Sequence, residues 1–304
     1  MTGNHDLEKV LADLKNLTGV TFLVEAEDME TAELAVKQIK QLTGAYKEKY
    51  NKTNFIQSLL LDNILHVDMY RRAKKLHIDT EASRTVFLIH TEAEEEGIVQ
   101  ETLQHLFTAQ MQDYITPVDD GSIALVKSLE PHTEEEDLLG IARMIVDMLN
   151  TEAMVKVKVA YGNVSDKLET LSKSYKEARM ALEVGRIFYM DENIMPYGKL
   201  GIGRLIYQLP IPLCEMYLSE VFGDRLPESF DEETVMTINK FFDNNLNISE
   251  TARQLYVHRN TLVYRLEKIQ KQMGLDIRVF EDALTFKIAT MVASYMKYKK
   301  EDLK

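Results

Sequence analysis

Residues Asn247–Gly274 read NISETARQLYVHRNTLVYRLEKIQKQMG and contain the most informative pattern in the chain. Ser249 is placed to cap a short helix over Glu250–Leu255, because a serine hydroxyl accepts a backbone N–H at a helix N-terminus. Residues Tyr256–His258 predict a tight turn, and a second helix is expected from about Arg259. The stretch therefore predicts two short helices joined by a turn.

The predicted second helix has two chemically different faces. Apolar residues recur on it at i, i+4 and i+7, which places them on one side; they are Leu262, Leu266 and Ile269. The small side chain of Ala252 allows the two helices to approach closely. This pattern is typical of a helix-turn-helix, whose second helix enters the major groove of DNA with its N-terminal residues.

The polar face of this helix supplies the candidate DNA-binding residues. Arg259 and Asn260 lie at its leading end, where an arginine can read guanine and an asparagine can read adenine through paired hydrogen bonds. His258 and Thr261 are close enough to reach a base or a phosphate. Further along the helix we expect contacts to backbone phosphates, from Tyr264, Arg265 and Lys268. An ordinary pair of packed helices with solvated charges is the alternative.

Charge is unevenly distributed along the sequence. The chain has 36 Lys and Arg against 49 Asp and Glu, a net charge of −13. Residues Thr251–Lys304 instead hold 11 Lys and Arg against 6 Asp and Glu. An acidic body repels phosphate, so any nucleic-acid contact is expected to be local and to lie in this basic segment. Charge alone is equally compatible with a short, merely solvated basic face.

Length and composition favour a folded protein of two or three domains, with 304 residues of which 45% are hydrophobic. A run of about 18 apolar residues is missing, so a membrane span is not expected. The start at Met1 lacks the basic and apolar segments of a secretory signal. The single cysteine, Cys214, excludes an intramolecular disulfide and fits a reducing compartment. Together these features predict a cytoplasmic protein.

The middle of the chain alternates between strand and helix patterns. Strands are predicted at Thr85–His90 and Val155–Tyr161, and the turn Asp119–Gly121 predicts a hairpin between two further strands. Helices are predicted between them and after the last strand, at Glu92–Gln110, Glu134–Asn150 and Asp166–Ile187. The order β-α-β-β-α-β is the split-βαβ pattern, and we expect a sheet with helices packed on one face.

The two ends of the chain are mostly helical in pattern. Before the sheet, a strand is predicted at Val20–Val24 and helices at Met29–Leu42 and Phe55–Leu76. After it, glycines and prolines predict a connector containing a helix at Pro212–Val221, and the remainder is all helical. The predicted domains are an N-terminal region of unassigned role, a sheet domain, a connector and a DNA-binding domain, at residues 1–84, 85–197, 198–230 and 231–304.

The run TARQLYVHRNTLVYRLEKIQKQMGLDI closely resembles the C-terminal helix-turn-helix of PucR/CdaR-type transcriptional regulators. Its core, His258–Leu266, is also similar to the recognition helix of the Fis-type DNA-binding fold. Tyr256 departs from the commonest pattern, which has a glycine at this place in the turn. Thr85–Gly185 resembles the degenerate GGDEF-like domain of the same regulators. The resemblance implies sequence-specific binding to double-stranded DNA, usually as a homodimer, to control catabolic or transport genes.

The sequence signals for catalysis or for binding of a metal or cofactor are weaker than the signal for DNA binding. The GGDEF motif of diguanylate cyclases is missing, and Asp119–Asp120, which could bind Mg²⁺, also suits a solvated turn. The seven histidines have no zinc-site spacing, and Gly201-Ile202-Gly203 lacks the context of a dinucleotide site. The sequence therefore predicts no catalytic residue, metal or cofactor.

These observations predict an α+β regulator with a GGDEF-like split-βαβ domain and an all-helical C-terminal helix-turn-helix domain. The GGDEF-like domain is expected to be a non-catalytic dimerisation or relay module. The expected partners are double-stranded DNA, an unidentified small-molecule effector and a second copy of the chain, with no membrane. The alternative is a sensor or scaffold whose helix-turn-helix serves assembly and not DNA.

Overall fold

The computed structural model describes residues 7, 9–15, 21–24, 29–107, 112–223 and 231–302. The chain divides into two compact units. The first unit comprises Met1–Leu182 with Glu192–Lys199, and the second comprises Glu183–Asp191 with Leu200–Lys304. The first contains a mixed sheet and the second is helical, so the α+β class predicted from the sequence is confirmed.

The first unit is built around a five-stranded sheet in the order β2-β3-β1-β4-β5. Its strands are β1 (Arg84–His90), β2 (Tyr114–Asp119), β3 (Ser122–Ser128), β4 (Lys158–Tyr161) and β5 (Ile194–Pro196). β1 pairs antiparallel with β3 and β4, β2 and β3 form the predicted hairpin, and β5 is parallel to β4. The split-βαβ order is thus present, and β5 is an added edge strand that the sequence pattern did not reveal.

Both faces of the sheet are buried. Phe87 and Ile89 of β1 pack with helices α4 (Glu96–Phe107) and α5 (Glu135–Thr151) in one hydrophobic cluster. The alternate residues Val86 and Leu88 are on the other face and are equally buried. The expectation of helices on one face only was therefore wrong: strand side chains alternate in direction, so burial on both sides needs cover on both sides.

Helices α2 (Met29–Leu60) and α6 (Leu171–Phe188) approach the strands closely. The Gln57 side chain of α2 donates a hydrogen bond to the carbonyl of Pro117 in β2, at 2.7 Å. Ser174 of α6 accepts one from the backbone N–H of Val86 in β1, at 3.2 Å. A Cβ at Gly162, just after β4, would lie 2.1 Å from the Ser174 carbonyl oxygen. Glycine is therefore required where α6 passes the end of β4.

The N-terminal region differs from its predicted pattern. Described residues 9–15 form α1, and α2 is one continuous helix of 32 residues in place of two separate segments. The helical conformation is then interrupted at Asp62, which has a φ of 62°, before α3 (His66–Lys75) begins. The single helix predicted over Phe55–Leu76 was therefore wrong. Residues 21–24 have no strand structure, and Val20 lies outside the described residues.

The second unit is helical throughout its described residues. Its helices are α7 (Ile202–Tyr207), α8 (Ile211–Phe222), α9 (Glu232–Asp243), α10 (Ile248–Gln254), α11 (Arg259–Met273) and α12 (Phe280–Asp302). One hydrophobic cluster joins them, with Cys214, Phe241 and Phe286 fully buried. The predicted connector thus contains two short helices, α7 and α8, and residues 224–230 lie outside the described part of the chain.

Candidate nucleic-acid interface

Helix α10 begins at an asparagine cap. The Oδ1 atom of Asn247 accepts hydrogen bonds from the backbone N–H groups of Ser249 and Glu250, at 3.0 and 3.1 Å. The prediction that Ser249 caps this helix was therefore wrong. Asparagine is as good a cap as serine, and it lies two positions earlier in the sequence. The helix carries the small Ala252 on its buried side, where α11 packs.

The turn between α10 and α11 contains a strained and exposed tyrosine. Tyr256 has a φ of 55°, in the left-handed region where glycine is usual, and its side chain is 96% exposed. The backbone N–H of the next residue, Val257, donates to the carbonyl of Ala252 at 3.0 Å. The turn is thus as tight as the sequence predicted, and it adopts the conformation of the usual glycine although a tyrosine is present.

The leading end of α11 is stabilised by His258. Its backbone is extended at the cap position, and its Nδ1 atom accepts a hydrogen bond from the backbone N–H of Asn260 at 3.3 Å. This contact fixes the Nδ1 atom as the acceptor, so Nε2 carries the proton when the ring is neutral. His258 therefore shapes the start of the helix in addition to any contact with DNA.

The structure confirms the apolar face of α11 and exposes its leading polar residues. Leu262, Leu266 and Ile269 are at most 1% exposed. The five candidate residues in the leading part of α11 and at its cap are all exposed, namely His258, Arg259, Asn260, Thr261 and Tyr264. Within the described residues, the side chains of Arg259, Asn260 and Thr261 have no hydrogen-bond or ionic partner. An exposed N-terminal turn with available donors and acceptors is the geometry that reads base edges.

Arg265 and Lys268 occupy different environments further along α11. Lys268 is exposed. The Arg265 side chain is only 22% exposed and forms an ion pair with Glu233, near the start of α9. Its Nη1 atom also donates to the hydroxyl of Thr237, at 3.4 Å. Six of the seven candidate side chains are therefore exposed, and Arg265 is the exception because it is held against α9.

Sequence reasoning missed the contribution of α9. Neither Glu233 nor Thr237 carries a local signal, since their role depends on the crossing of α9 and α11. Asp231 caps α9, and its hydrogen bonds from Thr234 lower the pKa of the Asp231 carboxyl. The cap of α10 at Asn247, in contrast, could have been found from residue type and position alone.

The loop after α11 is fixed by one arginine. Gly274 ends the helix with a φ of 81°. Arg278 forms two hydrogen bonds to the Asp276 carboxylate, at 2.7 and 2.8 Å, and reaches back to the Gln270 side chain on α11 at 2.8 Å. These bonds lower the pKa of the Asp276 carboxyl and raise that of Arg278. The far end of α11 is thereby attached to the loop that precedes α12.

The hairpin turn between β2 and β3 in the sheet unit is packed against neighbouring backbone. Gly121 has a φ of 75°, and its carbonyl accepts a hydrogen bond from the backbone N–H of Thr91 at 2.9 Å. A Cβ at Gly121 would lie 2.5 Å from the Thr91 carbonyl oxygen. Asp119 and Asp120 are exposed beside it. Among the described residues, no three His, Cys, Asp or Glu side chains lie together in a way that could hold a metal ion.

Two protein families match this chain. Residues 234–292 match the PucR C-terminal helix-turn-helix domain, and residues 62–184 match the GGDEF-like domain. Taken together, the matches extend over the helix-turn-helix described above and over most of the sheet unit. The described residues include no helix that is long and apolar enough to cross a membrane.

The chain is similar to several bacterial regulators. It is 30% identical over 140 residues to the purine catabolism regulatory protein of Bacillus subtilis (strain 168), which is 45% of this chain and 26% of that protein. It is 23% identical over 274 residues to the DNA-binding transcriptional activator AdeR of the same organism, with coverages of 83% and 63%. It is 21% identical over 273 residues to the carbohydrate diacid regulator of Escherichia coli (strain K12), with coverages of 85% and 70%.

The chain therefore combines a GGDEF-like domain with a PucR C-terminal helix-turn-helix domain. These matches confirm the resemblance to PucR/CdaR-type regulators identified from the sequence. The chain covers only 26% of the length of the purine catabolism regulatory protein.

Proposed function

We propose that this chain is a sequence-specific transcriptional regulator that binds double-stranded DNA through the leading end of α11. The observation that carries the proposal is the exposed set Arg259, Asn260 and Thr261, displayed at the first turn of a helix whose opposite face is fully buried. Arginine and asparagine there match the hydrogen-bonding edges of guanine and adenine. The similarity to a relative named as a DNA-binding transcriptional activator supports the same conclusion.

We expect Tyr264 and Lys268 to hold backbone phosphates, since both are exposed further along α11. The sequence pattern predicted the same role for Arg265, and a phosphate contact would require its side chain to leave Glu233. One recognition helix reads few base pairs, so the proposed active form is a homodimer that places two helices in successive major grooves. A cytoplasmic location follows from this role.

The test is DNA binding by the intact chain. The probes are labelled duplexes enriched from a random-sequence library by the wild-type protein, with mixed-sequence duplex as competitor. Arg259→Ala should weaken selective binding by about 10- to 100-fold, because it removes paired hydrogen bonds to a base worth roughly 1–3 kcal/mol. The matched control is Arg71→Ala, which removes an arginine that is 79% exposed in the sheet unit.

The proposal is supported if Arg259→Ala loses selective DNA binding while the control variant binds as the wild type does. Equal behaviour of the two variants, or a wild-type chain that enriches no sequence, contradicts it and favours a scaffold role for the helix-turn-helix.

The effector is proposed to be a small-molecule metabolite, and the controlled genes to serve catabolism or transport. A thermal-shift screen of purines, amino acids and sugar acids tests the first part, because a ligand that binds only the native state raises its melting temperature. We propose no cyclase activity for the GGDEF-like domain. Formation of a cyclic dinucleotide from GTP and Mg²⁺ would contradict that.

A further inference from the structure

The side chain of Arg265 has a different environment from the other basic residues of α11. Arg259 and Lys268 are exposed, whereas the Arg265 side chain is 22% exposed. Its Nη2 atom donates a short hydrogen bond to the Glu233 carboxylate, and its Nη1 atom reaches Thr237 on the same helix. The guanidinium thus uses its planar fork to contact two groups of α9, which a single point charge could not do.

Thr237 fixes the place at which the Arg265 side chain contacts α9. Thr237 is fully buried, and its hydroxyl also donates to the backbone carbonyl of Glu233 at 2.8 Å. The hydroxyl therefore has a fixed direction when it accepts from Arg265. Because the two acceptors lie one turn apart on α9, they define where Arg265 sits on that helix. The rotation of α11 about its own axis is constrained at this point.

The rotation of α11 determines which side chains reach a base edge. Arg259 and Asn260 lie less than two turns before Arg265 on the same helix, which advances 3.6 residues per turn. A small rotation at Arg265 therefore displaces both side chains at the leading end. A misplacement of about 1 Å is enough to break paired hydrogen bonds, which require N···O distances near 2.9 Å.

We infer that Arg265 is a positioning residue that sets the rotation of α11 through Glu233 and Thr237, and that it makes no phosphate contact. This inference rests on the proposed DNA binding of α11. It assigns Arg265 a role different from the one its place in the sequence suggests. It also makes Glu233, an acidic residue outside the helix-turn-helix, a determinant of DNA selectivity.

Glu233→Gln distinguishes the two roles by the sign of its effect. If Arg265 contacted phosphate, removal of the competing carboxylate would free the guanidinium, tighten binding to every duplex and steepen its salt dependence. If Arg265 positions α11, the same change loosens the contact to α9. We then expect about a tenfold loss in affinity for the enriched duplex, with affinity for mixed-sequence duplex and the salt slope unchanged.

Three further variants complete the experiment, and all are measured by fluorescence anisotropy across a range of salt concentrations. Arg265→Lys keeps the charge but lacks the fork, so it should lose selectivity as Glu233→Gln does. The exchange of both residues, Arg265→Glu with Glu233→Arg, should restore part of it. Lys268→Ala is the matched control for a phosphate contact, and it should lower the salt slope by about 0.9 while leaving selectivity intact.

Each outcome decides the inference. Tighter binding and a steeper slope for Glu233→Gln, or full selectivity in Arg265→Lys, overturns it and leaves the proposed function standing. Loss of thermal stability with normal selectivity of the folded fraction also overturns it, because that is a purely structural role. A wild-type chain that binds no duplex overturns the proposed function and this inference together. Should Arg265→Lys fail to fold, Glu233→Gln alone gives the answer.

Discussion

Each of the two units contains a turn with a residue in the left-handed conformation, and the surroundings of these two residues are opposite. Gly121 closes the β2–β3 hairpin with a φ of 75°, and Tyr256 closes the helix-turn-helix with a φ of 55°. At Gly121 the space for a side chain is taken by the Thr91 carbonyl. At Tyr256 the side chain is 96% exposed. The first turn is closed by its neighbours, and the second is open to solvent.

The two turns differ in whether their residues are available for contacts outside the chain. The hairpin turn is fixed by backbone contacts with Thr91, so its glycine serves the fold. In the helix-turn-helix a strained tyrosine gains no internal packing, and the adjacent residues Arg259 and Asn260 are exposed. Side chains that contribute little to folding and lie together on a rigid support are the ones that recognition uses. Four predictions test this contrast.

The largest effect is expected in the closed turn. Gly121→Ala adds a Cβ at 2.5 Å from a backbone oxygen and places it on a left-handed residue. We expect a loss of about 3 kcal/mol in the free energy of unfolding, measured by chemical denaturation. The control is Gly140→Ala in helix α5, where a Cβ meets nothing within 4 Å and alanine should stabilise the helix. Equal stability of Gly121→Ala and wild type would show that this turn is not closed.

The next effect concerns the cap of α10. Asn247→Ala removes the acceptor of two backbone N–H groups and should cost about 1 kcal/mol of stability. Ser249→Ala, the change that the sequence pattern singled out, should leave stability nearly unchanged. A thermal melt of both variants checks the pair, and a larger loss for Ser249→Ala would mean that the cap has been assigned to the wrong residue.

A smaller effect of opposite sign is expected in the open turn. Tyr256→Gly relieves the left-handed strain and removes a side chain that packs against nothing, so it should stabilise the chain by roughly 0.5 kcal/mol. Denaturant midpoints provide the measurement. Asn245→Gly is the comparison, since Asn245 also has a positive φ of 51° but asparagine tolerates that conformation better. Destabilisation by Tyr256→Gly would indicate a packing role that the exposed side chain does not suggest.

The smallest effect is a pH dependence in the loop after α11. The hydrogen bonds from Arg278 lower the pKa of Asp276 below its ordinary value of 3.8. A carboxyl with a lowered pKa contributes stability above its unfolded pKa and loses it as the pH falls through the folded pKa. The stability difference between wild type and Arg278→Gln should therefore be constant near neutral pH and shrink below about pH 3.8. A difference that grows on acidification would contradict this assignment.

Much of the fold could be predicted because it depends on local periodicity. The spacing of Leu262, Leu266 and Ile269 predicted the buried face of α11, and the turn Asp119–Gly121 predicted the hairpin. β5 could not be found, because three residues ending in proline form no recognisable pattern. The break at Asp62 was missed for a similar reason, since apolar residues continue at helical spacing on both sides of it.

The candidate site was predictable to the extent that it lies on one helix. Residue type and spacing assigned Arg259, Asn260 and Thr261 to one polar face, and all three are exposed. The contact of Arg265 with Glu233 joins residues 32 positions apart and depends on how α9 crosses α11. Periodicity carries no information about such a crossing, so the pattern grouped Arg265 with its exposed neighbours.

The central claim, that the leading end of α11 contacts a duplex, is tested most directly by a thiol footprint. Cys214 is the only cysteine and is fully buried, and burial raises the pKa of its thiol, so Thr261→Cys provides one reactive group on the surface. Ser294→Cys on α12 is the exposed control. We predict that an enriched duplex slows alkylation at position 261 and leaves position 294 unchanged. Equal alkylation rates at position 261 with and without bound duplex would contradict the claim.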